Sequence, residues 1–241
     1  MRSTERDVML FLLAISAGSA DGWSYFGLGH AFVANMTGNT VLAGMGVFTK
    51  GGDVSHPLLS LCCYAMGAAA AAFFTRKVRQ GVIWARAITL TLLLEAFIMA
   101  AAATLWVAIH RHSPATAAPL PYLTLLLCCV AFAIGLQSGA MLQLRIPGVV
   151  TTYITGTWTN LVTGLVRLAS HKEPRAQKQH LSFEERLFMQ AGILAIYFLS
   201  AVLTGWLFRH QPLAVGALSA ASILIVALYA AVHTARASGQ G

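Results

Sequence analysis

Long apolar stretches alternate with short polar ones along the whole chain. A helix that crosses a bilayer needs about 20 mainly apolar residues, and six stretches reach that length. These predicted spans are residues 8 to 29, 57 to 75, 87 to 109, 121 to 141, 187 to 208 and 213 to 233. The pattern therefore predicts an all-α membrane protein with six transmembrane helices.

Two further apolar stretches, residues 31 to 48 and 148 to 168, contain more Asn, Thr and Gly than a lipid-facing helix usually does. The second begins at Pro147-Gly148, a pair that disfavours helix. Non-helical backbone at membrane depth is tolerated only where it is buried in protein or lines a watery cavity. We therefore predict that both stretches are re-entrant or broken helical segments.

Composition and charge agree with a bilayer as the solvent. The 241 residues are 57% hydrophobic and 10% charged, whereas soluble domains have about 25% charged residues. The net charge of +8 does not indicate nucleic acid, because the basic residues lie almost entirely between the apolar stretches. The four cysteines form two adjacent pairs, which fits neither a disulfide framework nor a zinc site.

The distribution of Lys and Arg favours six crossings over eight. With six crossings and a cytoplasmic amino terminus, only Lys50, Arg111 and Arg209 of the 16 basic residues lie outside, as the positive-inside rule requires. With eight crossings, six basic residues would lie outside, because Arg76, Lys77, Arg79 and Arg86 would move there. Both termini are therefore predicted to be cytoplasmic. The first twenty residues also fit a secretory signal, but a nearly identical pattern recurs in mid-chain, which favours a span.

The two halves of the chain resemble each other. Residues 14 to 22 align with residues 131 to 139 at an offset of 117, and residues 36 to 39 align with 154 to 157 at an offset of 118. Tyr64 matches Tyr197 at an offset of 133. Because three crossings reverse the direction of the chain, we predict two inverted three-helix repeats, residues 1–112 and 113–241. The second repeat includes a polar cytoplasmic loop at about residues 169–186. Inverted repeats with interrupted helices are typical of secondary transporters.

The aligned Gly-x-x-x-Gly pairs, Gly18 with Gly22 and Gly135 with Gly139, predict close helix packing. The interrupted segments instead combine amide and hydroxyl side chains with a central glycine, and exposed helix amino ends attract anionic groups. We expect them to bind a small polar solute, although these side chains could instead only link helices. The candidate binding residues are Asn35, Thr37, Gly38, Asn39, Gln137, Thr152, Thr155, Gly156, Thr157 and Asn160.

Asp21 and Glu95 are the only acids well inside the predicted spans. An ionised side chain at the bilayer centre costs ~3 kcal/mol or more, so we expect either acid to exchange a proton or to bind a cation. For Asp21 the alternative is a helix-end carboxylate near the outer interface. Its aligned partner in the second half is the neutral Ser138, so ion coupling is predicted to be asymmetric.

The first interrupted segment carries a motif that resembles a known family. The run from Ala17 to Gly44, which includes Asp21 and residues 32 to 39, is similar to the first motif of the YoaK-like family of bacterial integral membrane proteins. Residues 135 to 137 followed by 147 to 157 resemble its second motif, and Glu95 resembles a position where members often carry Glu. The resemblance implies a six-span protein of the bacterial inner membrane whose activity is unknown.

No enzyme is predicted, because phosphate-binding glycine loops, Ser-His-Asp sets and His-Glu zinc patterns are absent from the sequence. No cofactor or metal is expected. The expected partners are the lipid bilayer and a small polar solute or ion, without nucleic acid, and a homo-oligomer is left open. The leading hypothesis is a secondary transporter or exporter that couples to a proton or cation. The alternative is a membrane interaction or structural protein without transport activity.

Overall fold

The computed structural model describes residues 3–78, 85–111, 120–143, 154–169 and 182–238. Within these ranges the chain forms eight α-helices, with a short 3₁₀ turn at Pro212–Ala214 and no strand. The helices are α1 (Ser3–Gly27), α2 (Met36–Gly46), α3 (Ser55–Thr75), α4 (Arg86–His110), α5 (Leu120–Gln143), α6 (Ile154–Ala169), α7 (Phe183–His210) and α8 (Val215–Ser238). The predicted all-α class is confirmed.

Five helical stretches are long and apolar enough to cross a membrane. They are α3, α4, α5, α7 and the stretch Pro212–Thr234, which contains most of α8. These stretches correspond to five of the six predicted spans. The remaining predicted span lies in α1, which has 25 residues but is not among the five. The carboxyl half of α1 contains Gly18, Asp21, Gly22 and three serines, which lower its hydropathy.

The two interrupted segments each contain one short helix. α2 has 11 residues and α6 has 16, fewer than the roughly 20 that a crossing needs. α2 packs against α3, and α6 packs against α7. Three predicted features lie outside the described residues: Pro147-Gly148, Thr151 with Thr152, and residues 170–181 of the polar loop.

The long helices α1 and α5 each pack against two other long helices. α1 packs against α7 and α8, whereas α5 packs against α3 and α4. α4 and α8 also pack against each other. Each of the helices α1 and α5 therefore packs against two long helices of the opposite half of the chain.

Glycine brings the backbones of α3 and α5 into direct contact. A Cβ added at Gly67 would lie 2.1 Å from the Phe132 carbonyl oxygen, and one added at Gly135 would lie 2.2 Å from the Tyr64 carbonyl oxygen. These distances are too short for any side chain. The close packing predicted for the second Gly-x-x-x-Gly pair is thus confirmed.

The first glycine pair brings α1 against α7 in the same way. A Cβ at Gly18 would lie 2.6 Å from the Tyr197 carbonyl oxygen, and one at Gly22 would lie 3.0 Å from Cβ of Thr204. This approach places Tyr197 beside Asp21, one helical turn beyond Gly18.

Two tryptophans fill the core where α1, α4 and α8 meet. The buried rings of Trp23 and Trp106 pack edge to face with centroids 5.9 Å apart. Trp106 Nε1 donates to the Pro212 carbonyl oxygen at 2.8 Å, which ties the end of α4 to the beginning of α8. Large apolar side chains such as Phe97, Phe188 and Phe198 remain exposed on the outer faces, as expected where helices face lipid.

Candidate functional site

A buried carboxylate organises the turn between α1 and α2. The backbone N–H groups of Val33 and Ala34 donate to Oδ1 of Asp21 at 2.8 Å and 2.6 Å, and the N–H of Asn35 approaches the same atom at 3.4 Å. The Tyr197 hydroxyl of α7 donates to Oδ2. Hydrogen bonds to a carboxylate stabilise its ionised form. The carboxyl group of Asp21 therefore links the turn, α1 and α7.

A second buried side chain fixes the same turn from α2. The Phe32 N–H donates to Oδ1 of Asn39 at 2.8 Å, and Nδ2 of Asn39 donates to the Phe32 carbonyl oxygen at 2.6 Å. The Ser60 hydroxyl of α3 donates to the same carbonyl. Asn39 is fully buried. Its amide thus replaces the backbone partner that an irregular segment inside a protein otherwise lacks.

Asn35 begins α2 as its N-cap. Its Oδ1 accepts from the Gly38 N–H at 3.0 Å, and this arrangement satisfies one of the unpaired donors of the first turn. The side chains of Asn35 and Thr37 are exposed, whereas Gly38 packs against Asn35 and Phe32. Thr37 therefore presents its hydroxyl at the amino end of α2, outside the packed turn.

The candidate residues of the second half occupy two different environments. Gln137 is buried in α5, and its Nε2 donates to the Leu13 carbonyl oxygen of α1 at 3.2 Å. On α6, Thr157 is buried, whereas Thr155, Gly156 and Asn160 are exposed. Thr152 lies outside the described residues. The structure thus places exposed hydroxyl groups on the first turn of α6, as it does on α2.

Glu95 lies apart from this turn. It is on α4 and has no exposed surface, and neither of its carboxyl oxygens has a hydrogen-bond partner among the residues that the structure describes. Its helix, α4, packs mainly against α5 and α8 of the second half. The structure therefore brings Asp21, Asn35 and Asn39 together in one network and leaves Glu95 outside it.

Tyr197 and Ser60 belong to this network, although sequence reasoning gave neither of them a role in it. Tyr197 lies 176 residues from Asp21, and Ser60 lies 28 residues from Phe32. A polar side chain inside an apolar span was the only signal available for either. The N-cap role of Asn35 had a clearer signal, because Asn directly before a helix is a common cap.

A separate polar cluster joins the α2–α3 loop to α5. Asp53 Oδ2 contacts Nδ1 of His56, and Nε2 of His56 lies 3.2 Å from Oγ1 of Thr124. Burial of Asp53 alone would raise the pKa of its carboxyl, but hydrogen bonds from Ser55 and His56 outweigh burial and lower the pKa from 3.8 to about 2. The charge of Asp53 thus stabilises the first turn of α3 at neutral pH.

These features define a multi-pass α-helical membrane protein with polar groups enclosed between its helices. Residues 9–231 match the model of a family described as "Protein of unknown function (DUF1275)", and the chain belongs to that family. It is 29% identical over 204 residues to the UPF0700 transmembrane protein YoaK of Bacillus subtilis (strain 168), a match that covers 82% of each chain. The predicted YoaK-like membership is confirmed. No solved structure matches the chain.

Proposed function

We propose that this protein is a secondary transporter or exporter of a small polar solute, built from two inverted halves and coupled to a proton or cation. The observation that carries the proposal is a set of features that the two short helices α2 and α6 share. Each is too short to cross a bilayer, each packs on one long helix, and each has a Thr-Gly pair in its first turn, Thr37-Gly38 and Thr155-Gly156, whose threonine is exposed.

The glycine contacts support an internal repeat independently of the short helices. Gly18 contacts the Tyr197 carbonyl, and its aligned residue Gly135 contacts the carbonyl of Tyr64, which aligns with Tyr197. Gly22 contacts Thr204, and its aligned residue Gly139 contacts Ala71 at the aligned position. The same interface thus occurs twice, once between α1 and α7 and once between α5 and α3. Two copies of three crossings each must lie in opposite orientations, which is the arrangement found in many transporters.

The expected site lies at the amino ends of α2 and α6. A helix amino end carries partial positive charge and unpaired N–H groups. In the first half, the carboxyl group of Asp21 accepts hydrogen bonds from the backbone of the turn directly before α2. Ser138 stands at the aligned position in the second half, so no carboxylate is supplied there by α5. In this proposal the solute contacts Thr37, Thr155, Gly156 and Asn160, and Asp21 or Glu95 carries the coupling ion.

The proposal is tested by flux in proteoliposomes. Entrapped pyranine reports proton movement when amino acids, sugars and nucleosides are added one at a time across an imposed membrane potential. We expect at least one class to drive flux above that of empty liposomes, and we expect Asp21→Asn, Glu95→Gln and Thr155→Val to reduce it. Thr104→Val is the matched control, because Thr104 is an exposed hydroxyl on α4 that bonds only its own helix. Flux that is absent for every class, or equal in all variants, contradicts the proposal.

One observation favours the structural alternative. Asp21, Asn35 and Asn39 each bond the backbone of the turn before α2 or of its first turn, and Asp21 also accepts from Tyr197. In a protein without transport activity, substitutions at these residues lower stability in detergent, and no solute changes proton movement. Thermal unfolding measured beside the flux assay separates the two functions.

A further inference from the structure

The described residues bury two acids, Asp21 and Glu95, in the helical core. Four donors converge on the carboxyl group of Asp21, namely three backbone N–H groups and the Tyr197 hydroxyl. In the described part of the chain, no donor bonds to either oxygen of Glu95. Both carboxyl groups are therefore buried, but only the carboxyl group of Asp21 is surrounded by hydrogen-bond donors of the described residues.

No positive charge neutralises Glu95 within the described chain. On its own helix the nearest basic residue is the exposed Arg86, nine residues away, or about 13 Å along the axis. The hydroxyl of Thr91, one turn below Glu95, donates to the Ala87 carbonyl instead. His110 at the other end of α4 bonds the Trp106 carbonyl.

The helices that pack against α4 bring no cation to Glu95 either. α5 contains no Lys, Arg, His or acid, and its titratable groups are Tyr122, Cys128 and Cys129. The titratable groups of α8 are Tyr229, His233 and Arg236, all in its second half, and His233 lies 4.0 Å from Glu5. α3 carries His56, Cys62, Cys63 and Tyr64, and His56 is engaged by Asp53 and Thr124.

Protein atoms, rather than lipid, enclose Glu95. Its exposed fraction is 0% for the chain by itself, before any lipid is added. The carboxyl therefore cannot reach an interface by extending its side chain, and a charged form would lose its hydration without gaining a partner. A buried charge in that situation is neutralised instead.

We propose that Glu95 is a proton-binding site, a neutral carboxylic acid in this arrangement of the helices, and that the four donors around Asp21 keep that carboxyl ionised in the same arrangement. The proton occupancy of Glu95 stands on its surroundings alone. Its assignment as the coupling proton rests on the proposed transport function. Release of this proton requires water to reach Glu95, so proton exchange is linked to separation of α4 from α5 or α8.

Infrared spectroscopy of the purified protein tests the protonation state directly. A neutral carboxylic acid has a C=O stretching band that an ionised carboxylate lacks. We expect this band at neutral pH in the native protein and in Asp21→Asn, and its loss in Glu95→Gln. Incorporation of glutamate labelled with ¹³C at its side-chain carboxyl should shift the band in the native protein, which assigns it to glutamate without any substitution.

The outcomes separate this inference from the transport proposal. A band that persists in Glu95→Gln, disappears in Asp21→Asn or does not shift with labelled glutamate overturns the inference, even if solute flux is observed. A band assigned to Glu95 in a protein without flux leaves the inference standing and removes only the transport proposal. If Glu95→Gln does not fold, the labelled native protein alone decides the assignment.

Discussion

Asp21 and Glu95 show that burial alone does not determine what an acid does. Both lie in the core, but four donors bond to Asp21, whereas none of the described residues donates to Glu95. Donors stabilise the charged form, and their absence stabilises the neutral form. The first acid therefore stabilises the structure, and the second can change its charge when its surroundings open.

Removal of the Asp21 carboxylate should have the largest effect on stability. Asp21→Ala leaves buried N–H groups of Val33 and Ala34 without an acceptor, which we expect to cost about 3 kcal/mol or more of the free energy of unfolding. Thermal unfolding in detergent measures the loss. Glu95→Gln should not lower stability, because it replaces one neutral group by another of the same shape. Equal destabilisation by the two changes would remove the distinction between the acids.

The position of α7 against α1 should matter next. Gly18→Ala forces a methyl group against the Tyr197 carbonyl, so α7 must move away and weaken the bond from Tyr197 to Asp21. Overpacking of this kind costs about 1–3 kcal/mol. Gly44→Ala is the control, because nothing lies within 4 Å of an added Cβ there. Unfolding midpoints that fall by the same amount in both variants would contradict the contact.

The Tyr197 hydroxyl should contribute less, since it is one of four donors. Tyr197→Phe removes its bond to Asp21 but keeps the ring, and we expect a loss of about 1.5 kcal/mol, the lower end for a hydrogen bond to a charged group. Tyr122→Phe, at an exposed tyrosine of α5, serves as the control. A double variant with Asp21→Ala should lose little beyond Asp21→Ala, and additive losses would show that the two side chains act separately.

Substitution of Asp53 should change the free energy of unfolding least. Asp53 lies near the surface, so it can be compared with the two buried acids. Because its pKa is lowered from 3.8 to about 2 in the folded protein, its charge stabilises the fold above pH 3.8, and this stabilisation is lost as the pH falls towards 2. The pair with His56 is partly exposed, so solvent limits the gain to less than about 1 kcal/mol. Native protein and Asp53→Asn should differ in unfolding midpoint at about pH 6 and converge near pH 2. A difference that does not change with pH would exclude the carboxylate as its source.

The sequence predicted the elements that depend on local pattern. Length and apolarity identified α3, α4, α5, α7 and α8, and the glycine spacing indicated the close contacts at Gly18 and Gly135. Family membership followed from the two motifs described above, residues 17 to 44 and residues 135 to 157. The inverted repeat, the solute site and the positions of the termini stay predictions.

The network around Asp21 could not be predicted from the sequence because its partners are distant along the chain. Tyr197 is brought to Asp21 by the approach of α7 to Gly18. The glycine spacing predicts that some helix packs closely at Gly18, but nothing local identifies that helix as α7. The roles of Asn35 and Asn39 were hidden for a different reason. An amide that binds a solute and an amide that binds the neighbouring backbone have the same composition, and only coordinates show which groups the amide contacts.

The direct backbone contacts at Gly67 and Gly135 limit how the molecule can change shape. Sliding between packed helices is normally absorbed by small changes in the side chains between them. At these turns no side chain separates α3 from α5, and the glycines of α1 bring that helix almost as close to α7. We therefore expect each of these helix pairs to move as one rigid unit. Any relative motion is then expected at the contact between α4, which carries Glu95 and Trp106, and α8.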